Sequence, residues 1–268
     1  LKISNILINR NLFCMKVVLK VNNKKYKANL SKPIDISLPL NFGKPNVNCF
    51  YAPAPVAQPV IAGDFIGSTS EGGLVNFMNI QINPHGNGTH TECVGHIAKK
   101  KFTIHQCLKK FNFIAKIISI QPHQIENGDQ VILKEQLEAQ LKKGEAEALI
   151  IRTLPNDDLK KQRQYSGTNP PYVHWEATQF VVDAGIQHLL IDLPSVDREE
   201  DDGQLLSHKV FWQFPDTEIK GRENCTISEL IFVENEIKNG FYLLNIQIAS
   251  LELDVSPSKP VLYKLKQL

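Results

Sequence analysis

The chain has 268 residues, enough for one large α/β domain or two small ones with a substantial core. Hydrophobic residues make up 42% and charged residues 22%, a globular balance, and 30 basic against 28 acidic side chains leave a net charge of +2. That near-neutrality removes any electrostatic reason to expect nucleic acid or an anionic membrane as partner, and the lysine pairs and triplets read as solvated faces. No apolar run approaches the roughly 20 residues needed to span a bilayer. Five cysteines, odd in number and without a CxxC, argue against a disulfide framework and for a reducing, cytoplasmic setting.

Met15 looks like a natural start, ahead of the strand-like KVVLKV. Residues 1–14 therefore read as a misplaced start or vector remnant rather than a signal peptide, since a clean apolar region with a small-residue cleavage site is missing. This leaves 15–268 as a single domain. Segments 16–22 and 25–29 suit a hairpin turning at Asn22-Asn23-Lys24, and 34–40 a short extended piece. Prolines 53, 55 and 59 exclude helix and central strand from 51–61, which is expected to be a loop crossing the surface. A strand over 76–82 runs into the segment Pro84–His96, PHGNGTHTECVGH. Next come an isoleucine-rich strand at 113–120, a helix over 133–143 stopped by Gly144 and a buried strand at 148–153. A polar loop at 156–172, a helix over 175–185, a buried strand at 188–193 and late strands at 241–248 and 261–265 complete the pattern, which fits one mixed α/β domain without repeats.

Three histidines and a glutamate within thirteen positions of 84–96 form the chemical centre of the chain. Imidazole and carboxylate are donors for zinc, manganese and similar ions near neutral pH. His90, Glu92 and His96 are separated by even numbers, so in an extended segment all three point to one face, whereas on a helix i and i+2 diverge. His85 has the opposite parity, and Gly86 and Gly88 allow a turn to bring it back. Spacing alone leaves open a polar loop whose histidines are merely exposed. Cys93 has odd parity and is expected to pack inward. His105 reads as structural or superficial. His174 and Trp175 either touch an aromatic substrate or begin a helix. Asp192 and Asp197 read as turn caps. Phe50, Tyr51 and Phe65 are equally a substrate wall or core.

GTHTECVGH resembles the HxGTHxDxPxH signature of the cyclase-like metal hydrolases, the family of bacterial kynurenine formamidase and isatin hydrolase. GIQHLLIDLPSVD at 185–197 is similar to a second block of that family, and Leu205-Leu206-Ser207-His208 and Ile227-Ser228-Glu229-Leu230 to two later ones. The resemblance implies a single mixed β/α domain of the swivelling β/β/α type, and one or two divalent ions, zinc or manganese. His90, Glu92, His208 and Glu229 are then metal ligands, with Glu92 bridging two ions and His208 and Glu229 serving the second. His96 is the general acid/base. Gly86 stands where the family places its first histidine, which makes His85 the candidate for that role through a shifted turn. The reaction implied is hydrolysis of an amide C–N bond in an aryl formamide or cyclic amide. An ester or lactone hydrolase with the same site, or a metal-binding relative without catalysis, is the alternative. Related enzymes are commonly dimers, so a homodimer acting on a small molecule is expected.

Overall fold

A computed structural model describes residues 14–21, 24–43, 45–214 and 221–268. The leader expected over 1–14 lies outside these except for Cys14, as do Asn22 and Asn23 of the expected turn. Strands Lys16–Val21 and Lys24–Asn29 pair antiparallel on either side of it. Seven strands close on themselves. In chain order they are β1 (His90–Glu92), β2 (Asn112–Ile120), β3 (Ala148–Thr153), β4 (His188–Ile191), β5 (Thr226–Glu229), β6 (Gly240–Ile248) and β7 (Val255–Gln267). β2, β3, β4 and β5 run parallel. β5 pairs antiparallel with β1, β1 with β7, β7 with β6 and β6 with β2, completing the barrel.

The alternation of these strands feeds two apolar layers. Phe113, Ala115, Ile117, Ile150, Leu190, Leu244 and Leu262 fill the inside. Ile118, Leu149, Ile151, Leu189, Ile191 and Ile227 point outward onto helices. Those helices include α2 (Lys134–Glu138), α3 (Trp175–Asp183) and α4 (Leu206–Trp212). α2 is shorter than the 133–143 expected, because the Gln140 carbonyl is captured by Lys116 Nζ at 2.5 Å and its side-chain amide by the Ser119 carbonyl. α4 carries no periodic signal in sequence and is held by tertiary contacts instead. The proline-rich stretch is not the loop expected: Val56–Pro59 pairs with Met78–Gln81 in a separate two-stranded ribbon, an edge position that tolerates proline.

The C-terminal ends of β3 and β4 are clamped by a buried ion pair. Asp192 accepts from the Thr153 amide and hydroxyl, and Lys160 Nζ lies 2.8 Å from Asp192 Oδ2. The expectation that Asp192 is structural holds. All five cysteines are free thiols, and four are buried. No helix of the described residues is long and apolar enough to cross a membrane.

At the opposite end of β4, His188 is buried, with Nδ1 2.9 Å from Thr226 Oγ1 and its ring on Phe113. Burial, helped by the Arg222 charge, pushes its pKa down to about 3. The unfolded chain takes up this proton near the ordinary value and the folded chain does not. The stabilisation is therefore full at neutral pH and is lost as pH falls below about 6.5, by up to roughly 1.4 kcal/mol per unit. Urea unfolding of wild type and His188→Gln at pH 7 and pH 5 should show the wild type losing more stability between the two. Equal losses would contradict this assignment.

Candidate metal centre

The centre is built on the outer face of the barrel wall, under α4. His90 and Glu229 are directly opposed across the β1–β5 pair, and Glu92 follows two residues along the same face. The strand parity expected for His90 and Glu92 is thus observed. His96 arrives differently. The strand stops at Glu92, and Val94–His96 is a 3-10 turn. Gly95 is required in that turn, since a Cβ there would fall 2.2 Å from the Phe102 carbonyl oxygen. Cys93 points inward and packs in the barrel core, as expected.

His85 lies on a one-turn helix, α1 (Pro84–Asn87). Its start is fixed by Pro84 at the first position and by the Asn83 side chain accepting from the Gly86 amide. No side chain fits at 86, because a Cβ would lie 2.2 Å from Ala52 Cβ and 3.0 Å from the Cys49 carbonyl oxygen. The next residue back therefore supplies the imidazole. His85 Nδ1 lies 3.3 Å from Glu92 Oε2, and its Nε2 3.1 Å from Asp254 Oδ2.

His208 comes from the first turn of α4. Asp197 caps that helix, accepting from the Ser207 and His208 amides, and also takes His208 Nδ1 at 2.5 Å. Its expected capping role is correct, but it also aims His208 Nε2 at Glu92 Oε1, 3.1 Å away. All five expected ligands and His96 therefore meet in one cluster, which holds four of the chain's eight histidines. Their grouping differs from expectation. His90 sits with Glu92 and Glu229, while His85 sits with Glu92 and His96. Glu92 belongs to both groups.

Asp254, just before β7, was not singled out in sequence; its Oδ2 lies 3.4 Å from His96 Nδ1. An acidic residue ahead of a late strand carries no distinguishing signal, and only closure of β7 onto β1 brings it here. His174 caps α3, its side chain accepting from the Glu176 amide, and His105 is exposed.

The electrostatics of this cluster call for cations. Glu92 is fully buried and Glu229 nearly so. Among the described residues, no lysine or arginine pairs with Glu92, Glu229 or Asp254. Burial would raise the Glu92 carboxyl, yet the His96, His208 and His85 imidazoles hold it well below its usual range. Burial pulls His85 down, but Asp254 and Glu92 more than offset it and carry it to about 10. His208 is likewise held well above its ordinary value by Asp197 and Glu92 against the pull of burial.

His90 Nδ1 lies 2.9 Å from the Gly88 carbonyl, which can only accept, so the proton sits on Nδ1. The Nε2 lone pair then faces Glu229 Oε2 at 3.2 Å, and this buried Nε2 has no hydrogen-bond partner. Glu92 Oε2, buried and 3.3 Å from His85 Nδ1, also makes no hydrogen bond. Lone pairs turned toward each other in a dry site repel, and a divalent cation between them removes that cost. The donor set fits such an ion, and the remaining atoms of its donors are anchored: Glu229 Oε1 accepts from the Val196 amide, His90 and His208 donate to Gly88 and Asp197.

A Cyclase family model matches residues 34–198, more than half of the chain; His208 and Glu229 lie beyond that span. No curated protein matches the sequence. Solved structures share the fold. One is described as a potential metal-dependent hydrolase with cyclase activity (16% identity, 87% of this chain and 97% of that chain, TM-score 0.60). Another is isatin hydrolase A from Labrenzia aggregata bound to benzyl benzoate (14% identity, 87% and 93%, TM-score 0.62). A third is isatin hydrolase A from Ralstonia solanacearum (12% identity, 87% and 91%, TM-score 0.63).

The steric account of His85 has a direct check. Gly86→Ala should destabilise the fold by about 1–3 kcal/mol in urea unfolding. Adding Ala52→Gly, which removes the nearest atom, should recover part of that loss. Full stability of the single variant would refute the account.

Proposed function

Because the chain belongs to the Cyclase family, we propose that it is a metal-dependent hydrolase cleaving the C–N bond of an amide, an aryl formamide or a cyclic amide. The observation that carries this reading is the pair of orphaned donors, His90 Nε2 and Glu92 Oε2, beside Glu229. His90, Glu92 and Glu229 would hold one ion, and Glu92 with His85 and His208 a second. Imidazole and carboxylate donors suit zinc or manganese. A bound divalent ion supplies polarisation of the acyl carbonyl and a lowered pKa for water. The structures described as isatin hydrolases support a cyclic amide as the substrate class.

His96 is assigned the proton transfers. With its Nδ1–H directed to Asp254, Nε2 is left as the base. It takes a proton from the attacking water and returns it to the leaving nitrogen, while Asp254 stabilises the imidazolium formed in between. The His96 side chain is 30% exposed, which leaves it open to substrate. Positioned acid–base catalysis of this kind contributes typically about 10²–10⁴ in rate.

Elemental analysis of the purified protein, with turnover measured on a panel of amides and esters, tests the reading. Bound zinc or manganese with amide turnover is expected. Bound metal without amide turnover would overturn it. His96→Ala should keep its metal and lose about 10²–10⁴ in kcat; loss of the metal instead would make His96 a ligand. Glu92→Gln should lower metal content more than Glu229→Gln, because Glu92 serves both donor groups. Equal losses in the two variants would contradict the shared role.

A further inference from the structure

A cavity of about 250 Å³ opens where β2, β4 and β5 begin, at the end of the barrel away from the Asp192 clamp. Buried Leu108 and Phe113 give it apolar walls, and exposed Lys109, Lys110 and Asn224 border it. Its buried polar group is His188, the first residue of β4. None of the metal-centre residues lines it. The barrel wall lies between the two places: on β5, Thr226 points in beside His188, while Glu229, three positions along, points out.

His188 is only 2% exposed, so a ring nitrogen without a partner calls for an explanation. Nδ1 has Thr226 Oγ1 at 2.9 Å. Nε2 has no partner among the described residues, yet it is not sealed off as His90 Nε2 is. It therefore faces the cavity that the ring lines. Thr226 decides which nitrogen carries the proton. Its buried hydroxyl has no other acceptor among the described residues, so it donates to Nδ1. Burial and the Arg222 charge keep the imidazole neutral, and its single proton then sits on Nε2. A buried N–H donor is thus turned toward the cavity with nothing in the protein to accept from it.

The charge around this donor has one sign. Lys109 and Lys110 are the charged residues of the lining besides the neutral imidazole, and no carboxylate belongs to it. Glu223, whose charge is felt at Cys107, stays outside the lining. At about 30 Å³ per water-sized group, the volume suits a ligand of roughly eight heavy atoms. We propose that this cavity binds a small carboxylate with an apolar tail. The carboxylate accepts from His188 Nε2 in the positive field of Lys109 and Lys110, and the tail lies against Leu108 and Phe113. The inference rests on this end of the barrel alone and does not need the hydrolase reading.

NMR of the full chain, read at the His188 ring, tests it with hexanoate as the probe. The ring signals are identified by their loss in His188→Gln. Hexanoate should shift them saturably. Acetate, which keeps the charge without the tail, and hexanamide, which keeps the tail without the charge, should each bind at least about tenfold more weakly. Lys109→Ala with Lys110→Ala removes two exposed side chains and should leave the fold intact while weakening hexanoate about tenfold. Unmoved His188 signals at saturating hexanoate would overturn the proposal. So would hexanamide binding as tightly as hexanoate, or a lysine variant that binds hexanoate as wild type does. Because the readout is the His188 ring, it is independent of metal content and turnover.

Discussion

A carboxylate with no exposure to water stays ionised only if positive charge is brought to it, and Glu92 is such a carboxylate. Everything around it follows from that constraint. His85, His96 and His208 reach Glu92 from a one-turn helix, a 3-10 turn and the start of α4. Protons on these imidazoles can supply the compensating charge, and so can a divalent ion. The two buried atoms left without partners are better satisfied by the ion, because a proton on His90 is already committed to Gly88.

The barrel makes the convergence possible. β1 has three residues and would be worthless as a free strand. Held between β5 and β7, it presents His90 against Glu229 and brings Asp254 to the other side of the cluster. The Asp192–Lys160 clamp fixes the ends of β3 and β4, and the chain beyond β4 carries Asp197, whose carboxylate sets both the start of α4 and the direction of His208. A few bonds between strand ends and loops therefore set the geometry of groups far apart in sequence.

Much of this was legible in the residues. The buried strands 148–153 and 188–191 are near-continuous apolar runs, and period-two spacing put His90 and Glu92 on one wall. What local pattern could not show was set by distant packing. The shift from 86 to 85 depends on Ala52 and the Cys49 carbonyl. His96 joins through a turn made possible by Gly95 against Phe102. Asp254 joins through closure of the barrel, and α4 escapes a hydrophobic-period reading because two of the four residues it buries, Ser207 and His208, are polar. The strand at Val56–Pro59 was hidden by prolines that an edge position tolerates.

Crystals grown with manganese and measured for anomalous scattering address the central claim most directly. The account predicts an anomalous peak bounded by His90 Nε2, Glu92 and Glu229. A cluster with no such peak, its donors bridged by water or by their own protons, would contradict it.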